Sequence, residues 1–289
     1  MKKLFFVSTV IAAMLTASCD KVKNPIEQKN TAVGSTFITK SNSSVSNSKK
    51  ILLEDYTGHQ CGNCPAAATV AKNLAAQYQG SVVVIAVHAG FFTKLNAEYP
   101  TSYTTTVGND WDGSSGFGIS AAGNPNGMIN RKNFPGDGLI QKETKWPTSV
   151  SVALQEAFKV KVDVTTNYDP TARALNTDIK AIFKTNYTNN TKVCAVLIED
   201  SIIGPQKDYT KNPDIIHDYE FEHMLRGAIN GSWGADFKAG PINVNDSASV
   251  SYKNYALEQK LNDRHVSVVV FVYDAVTREV LQVEKVKIR

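Results

Sequence analysis

Two cysteines three positions apart, Cys61-Gly62-Asn63-Cys64, with Pro65 directly after them, are the residues of this sequence best suited to chemistry. At the first turn of a helix such a pair closes a small disulfide, and the free amides and dipole of the helix N-terminus favour a thiolate there. Cys61 is then the expected nucleophile and Cys64 the resolving thiol. The same spacing is half of a zinc site, with His59 and His88 as the imidazoles at hand. No second CxxC or closely spaced His pair accompanies it, and an N-terminal export signal favours redox use, so no metal and no other cofactor is expected.

The elements that must hold the pair are legible around it. Ile51-Leu52-Leu53-Glu54-Asp55-Tyr56 reads as a short apolar strand, and Ala67, Val70, Ala71, Leu74, Ala75 and Tyr78 recur at helical spacing after the cysteines. Ser81 to Val87 is an almost unbroken β-branched run, as in a parallel strand buried on both faces. Strand, CxxC, helix, strand is the order this chemistry requires.

In that order the stretch resembles the thioredoxin superfamily. The resemblance assigns Asp55, six positions before the first cysteine, the buried acid that moves the proton of the resolving thiol; a surface strand end is the plainer reading of the same residue. It assigns Pro125, in Gly123-Asn124-Pro125-Asn126-Gly127, the cis-proline beside the disulfide, with Asn124 presenting its backbone to an extended substrate and Gly62 and Asn63 touching it. An ordinary Asn-Pro-Asn-Gly turn also suits those residues. An exposed Cys61 beside Pro125 would mark a working exchange site. Two positions depart from the superfamily: Gln60 stands where a tryptophan is usual, and Asn63 where thioredoxin has proline. Roughly Phe91 to Ala122 reads as an insertion, whose Tyr99, Tyr103, Trp111 and Phe117 line a groove or pack the loop onto its own domain.

Trp146-Pro147 opens a helix with an apolar stripe of Val150, Ala153, Leu154, Ala157 and Phe158. Beyond it the period becomes two: Val160, Val162 and Val164 alternate with polar residues, and strand-like runs follow at 191–198, 247–255, 265–273 and 280–288. These imply an antiparallel β-sandwich of immunoglobulin-like type. Cys194, inside such a run, reads as a buried apolar residue. The stretch from His223 to Gly234 is open between a loop over the sandwich, a ligand surface and a contact between domains.

Lys2 and Lys3 followed by the apolar run Leu4 to Leu15 form an export signal. Leu15-Thr16-Ala17-Ser18-Cys19 resembles a bacterial lipobox, which makes Cys19 the acylated first residue of the mature chain; Thr16 stands where a large aliphatic residue is usual, and ordinary cleavage leaving a free thiol is the alternative. Removal of residues 1–18 takes only two of the 31 basic residues, leaving 29 against 27 acidic, a balance that gives no case for nucleic-acid binding. The Ser-, Asn- and Lys-rich residues 19–49 lack any apolar period and read as a flexible tether. The expected organisation is therefore a signal peptide at 1–18, a tether at 19–49, an α/β thioredoxin-like domain at 50–158 and an all-β immunoglobulin-like sandwich at 159–289.

The lipobox-like start, Tyr56-Thr57-Gly58 running into the CxxC, the Asn124-Pro125 strand entry and the Arg226–Gly234 stretch together resemble the Bacteroidetes 28-kilodalton outer-membrane lipoprotein family. That resemblance implies an outer-membrane location, a lipid anchor at Cys19 and a surface or adhesive role, with no defined substrate. Two functions stand side by side. One is thiol-disulfide exchange on the thiols and disulfides of exported proteins through Cys61, Cys64, Asp55 and Pro125. The other is a non-enzymatic binding or adhesion protein whose CxxC is a permanent disulfide. The sequence does not fix the oligomeric state.

Overall fold

The computed structural model describes residues 40–289. The chain runs through β1 (Lys40–Val45), β2 (Ile51–Thr57), α1 (Cys64–Gln77), β3 (Val82–His88), α2 (Thr106–Asp112), β4 (Asn126–Ile129) and α3 (Trp146–Leu154). Strands then follow one another: β5 (Val160–Asp169), β6 (Ala174–Phe183), β7 (Thr191–Glu199), β8 (Ile202–Lys207), β9 (Ile215–Phe221), β10 (Met224–Ala228), β11 (Ala235–Lys238), β12 (Ser247–Ala256), β13 (Val266–Asp274) and β14 (Val280–Lys287). The protein is thus mostly β-sheet with few helices. No helix among the described residues is long and apolar enough to cross a membrane.

An eight-stranded sheet in the order β14-β13-β7-β10-β3-β2-β4, with β11 also on β7, faces a four-stranded sheet in the order β1-β5-β6-β12. Pleat alternation explains why both faces of the large sheet are apolar. Val193, Ala195, Leu197, Val268 and Val270 pack against the four-stranded sheet and form the sandwich core. Their neighbours Cys194, Val196, Ile198, Val269 and Phe271 point the other way, into a cluster shared with Leu52 and Tyr56 of β2, Val83 and Ile85 of β3 and Trp111 of α2. On the opposite face of β2 and β3, Ile51, Leu53, Val82 and Val84 receive Ala67, Ala71 and Leu74 of α1 and Trp146 and Val150 of α3. The helical stripe expected from Ala67 onward is this buried face.

The expected boundary between residues 158 and 159 is not a boundary between sheets. β10 lies parallel to β3, with Met224 opposite Ala86, and antiparallel to β7 on its other side. The His223–Gly234 stretch is therefore the seam that joins the two halves into one sheet. A sandwich is present in the second half, but one of its layers continues into the helix-covered part, and the described residues all fall in one compact unit.

The tether expectation also needs correction over residues 40–49, its remainder lying outside the described residues. Ser41 to Val45, within the most serine-rich stretch, forms a strand with Asn42 opposite Thr166 and Val45 opposite Asp163. Its serines do what apolar residues do elsewhere: Ser44 Oγ donates to Glu284 Oε2 at 2.5 Å, and the buried Ser46 hydroxyl donates to Val162 O while accepting from Val162 N. The signal segment and Cys19 lie outside the described residues.

Candidate functional site

β2 ends at Thr57, and four residues later the chain reaches Cys61, which is joined to Cys64 by a disulfide. Cys64 is the first residue of α1, with Pro65 beside it in the first turn, where its missing N–H costs nothing. β4 pairs antiparallel with β2 and places Asn126 opposite Tyr56. One register step further, Pro125 falls beside Thr57, at the end of the sheet from which the CxxC loop departs. The Asn124–Pro125 peptide bond is cis. Lys142 Nζ donates to Pro125 O at 3.0 Å, and both polar atoms of the Asn124 side chain are enclosed without a partner. The topology therefore brings Cys61, Gly62, Asn63, Cys64 and Pro125 to one end of the sheet.

Asp55 sits on β2 opposite Ala86 of β3 and is 2% exposed. Burial, reinforced by the charge of Glu143, pushes its carboxyl up to about 7. It lines a cleft of about 320 Å³ together with Cys64, Ala86 and His88. Asp55 is thus a buried acid sharing a cavity with the second cysteine, not a surface strand end. His88 is 3% exposed, with neither ring nitrogen bonded, and burial together with His59 and Arg226 pushes it down to about 3. It stays neutral at any physiological pH.

The zinc alternative finds no support in this arrangement. His59 bonds Lys94 O through Nε2 at 3.0 Å and stacks on Tyr99 with ring centroids 5.0 Å apart, while His88 meets Tyr103 and Phe221 edge-on. Tyr99 and Tyr103, from the expected insertion, thus pack beneath the CxxC loop rather than line an open groove. Among the described residues, the one group with metal-ligand spacing is Asp200, Glu222 and His223, whose ligand atoms lie within 4.8 Å of one another. Asp200 is already engaged by both the ring and the backbone N–H of His223, at 2.9 and 2.7 Å.

Cys61 is not exposed. It is 2% accessible and lies beneath the β8–β9 hairpin and the turn that closes it. The buried Gln206 donates from Nε2 to Cys61 O at 3.0 Å, and backbone N–H groups of Lys207 and Tyr209 donate to His59 O and Gly62 O at 2.8 and 2.9 Å. Gly62 is required here, since a Cβ at that position would lie 2.6 Å from the Tyr209 ring. Asn63 remains exposed. Nothing local in Pro205-Gln206-Lys207-Asp208-Tyr209 signals this role, because its partners are about 145 residues earlier in the chain.

A family model described as outer membrane protein Omp28 matches residues 116–289. A solved protein of Agrobacterium tumefaciens is similar over 84% of this chain and 96% of its own, with a TM-score of 0.50 and 10% identity, which is a likeness of fold alone. A solved domain of the outer membrane lipoprotein Omp28 from Porphyromonas gingivalis is 23% identical over 45% of this chain and 87% of its own, with a TM-score of 0.29. No curated protein matches. The matched region takes in β4, α3 and every strand of the sandwich from β5 onward. This chain belongs to the Omp28 family of outer membrane proteins.

Proposed function

We propose that this protein is a thiol-disulfide exchange protein of the envelope, built on a thioredoxin-like unit of β2, α1, β3, β4 and α3, and anchored through lipid on Cys19. The observation that carries the reading is the Cys61–Cys64 disulfide at the start of α1 with the buried acid Asp55 in the cavity that Cys64 lines. In the exchange step a thiolate on Cys61 attacks a sulfur of a substrate disulfide, forming a mixed disulfide and releasing one substrate thiolate. Cys64 gives its proton to Asp55 and attacks the Cys61 sulfur. The substrate's second sulfur leaves as a thiolate and the Cys61–Cys64 bond closes, so the substrate is reduced and the pair oxidised. Run backwards, the same steps oxidise a substrate dithiol. Exported proteins with thiols or disulfides are the substrates this location offers.

The burial of Cys61 favours a second reading, in which the disulfide is permanent and the protein is a surface binding or adhesion protein. Equilibration with glutathione buffers separates the two. An exchange catalyst is expected to titrate between about −120 and −270 mV, and its Cys64→Ser variant to trap a mixed disulfide. A pair that stays oxidised below about −300 mV and traps nothing supports the permanent disulfide.

A further inference from the structure

The rim of the CxxC is already occupied by a piece of the same chain. Lys207 and Tyr209, two residues apart, point their backbone N–H groups at His59 O and Gly62 O, as an added extended segment does at a strand edge. Gln206 caps the carbonyl of Cys61 between them, and the Tyr209 ring covers Gly62.

Two features make this occupant separable. β8 and β9 pair with each other in a two-stranded sheet of their own, so no ladder bonds tie the hairpin to either large sheet. Phe221 at the end of β9 packs with Tyr103 and Met224, but beside that anchor lies the cleft of about 320 Å³, bounded by Lys72 of α1 on one side and by Tyr219 of β9 and Glu222 just after it on the other, so part of the hairpin rests over space rather than over packed core.

We infer that the His59–Gly62 rim is a docking surface for an extended segment of a thiol- or disulfide-bearing protein, and that the β8–β9 hairpin is its resident occupant, which such a segment displaces. The hairpin is the template for what the rim accepts: an amide side chain over the Cys61 carbonyl, main-chain N–H groups one and three residues later, and an aromatic ring over Gly62. The identity of the partner rests on the exchange reading; the displacement itself requires no turnover.

The full-length Cys64→Ser protein, purified in detergent, leaves Cys61 a free thiol whose alkylation by iodoacetamide, located by mass spectrometry, reads access to the rim. Adding Gln206→Ala and Tyr209→Ala is expected to speed labelling of Cys61 about tenfold, by opening a segment held through few bonds. A synthetic peptide spanning residues 203–211 is then expected to slow it again. Equal rates with and without the two substitutions overturn the hairpin as occupant. A faster rate that the peptide leaves unchanged overturns the rim as a docking surface. Cys194, buried in the large sheet, stays unlabelled in a folded chain. Should the double substitution expose it, Tyr209→Ala alone, at a side chain already 60% exposed, carries the same expectation at about threefold. Gated labelling with no exchange activity would remove the catalytic reading and leave this one in place; free labelling with full exchange activity would do the reverse.

Discussion

Asp55 is the residue whose titration matters most to this site. Its carboxyl is raised to about 7 by burial and by Glu143, against an ordinary value of 3.8 in the unfolded chain. The folded state therefore holds a proton between pH 4 and 7 that the unfolded state releases. The stabilisation linked to that proton is complete below about pH 4 and is lost as pH rises through 7. Asp55→Asn, which cannot ionise, is expected to raise the unfolding free energy at pH 8 by about 2–4 kcal/mol, and to change it by less than about 1 kcal/mol at pH 4. Urea unfolding at the two pH values checks this; equal effects at both would mean that Asp55 is not the group that titrates. Burial keeps His88 neutral in this range, so the histidine beside Asp55 in the cleft does not itself add an inflection near pH 7 to the reduction rate of the disulfide. The same substitution is expected to flatten that profile.

Between elements, a fully buried ion pair lies outside the site and supports it from the other face of the sheet. Glu54 of β2 takes a two-pronged bond from Arg131, just past β4, at 2.9 and 2.7 Å. The guanidinium lies 4.5 Å from the ring centroid of Trp111 in α2 and 4.9 Å from that of Phe271 in β13. One side chain thus ties the strand that leads into the CxxC to the helix and strand that cover it. Glu54→Gln leaves Arg131 an uncompensated buried charge and is expected to cost about 3–5 kcal/mol in urea unfolding, whereas the double change Glu54→Leu with Arg131→Met recovers most of the loss. A loss under about 1 kcal/mol for Glu54→Gln would show the pair to be solvated. This pair also marks the limit of what the sequence discloses. The CxxC, the apolar strands beside it and the stripe on α1 are periodic and local, and were legible as such. The Glu54–Arg131 pair spans 77 residues, Ser44 meets Glu284 across 240, and Gln206 meets Cys61 across 145. A serine-rich run reads as unstructured because its stabilising partners lie at the other end of the chain, and a polar turn reads as a plain loop because the surface it covers was made much earlier.

At the scale of the molecule, the two halves share structure in both directions. β1, from the start of the described chain, pairs with β5 and bonds to β14, while β10, from the second half, is the parallel neighbour of β3. The sandwich of the second half was legible from its own periodicity, a switch from helical to alternating pattern near Phe158. Their union was not, since a β-branched run such as Val82–Val87 states that both faces are covered without stating by what. Cutting at residue 158 separates β1 from β5 and opens the edge of β3. It also strips Val196, Ile198, Val269 and Phe271 from the cluster they share with Leu52, Ile85 and Trp111. Neither residues 40–158 nor 159–289 alone is therefore expected to be soluble and cooperatively folded, each exposing an apolar sheet face and an unpaired edge. The intact chain is expected to unfold in one transition, with circular dichroism and tryptophan fluorescence superimposing in urea. A soluble 159–289 fragment with its own sharp transition would return the molecule to two independent domains, and the proposed exchange activity would then have to be sought in the first alone.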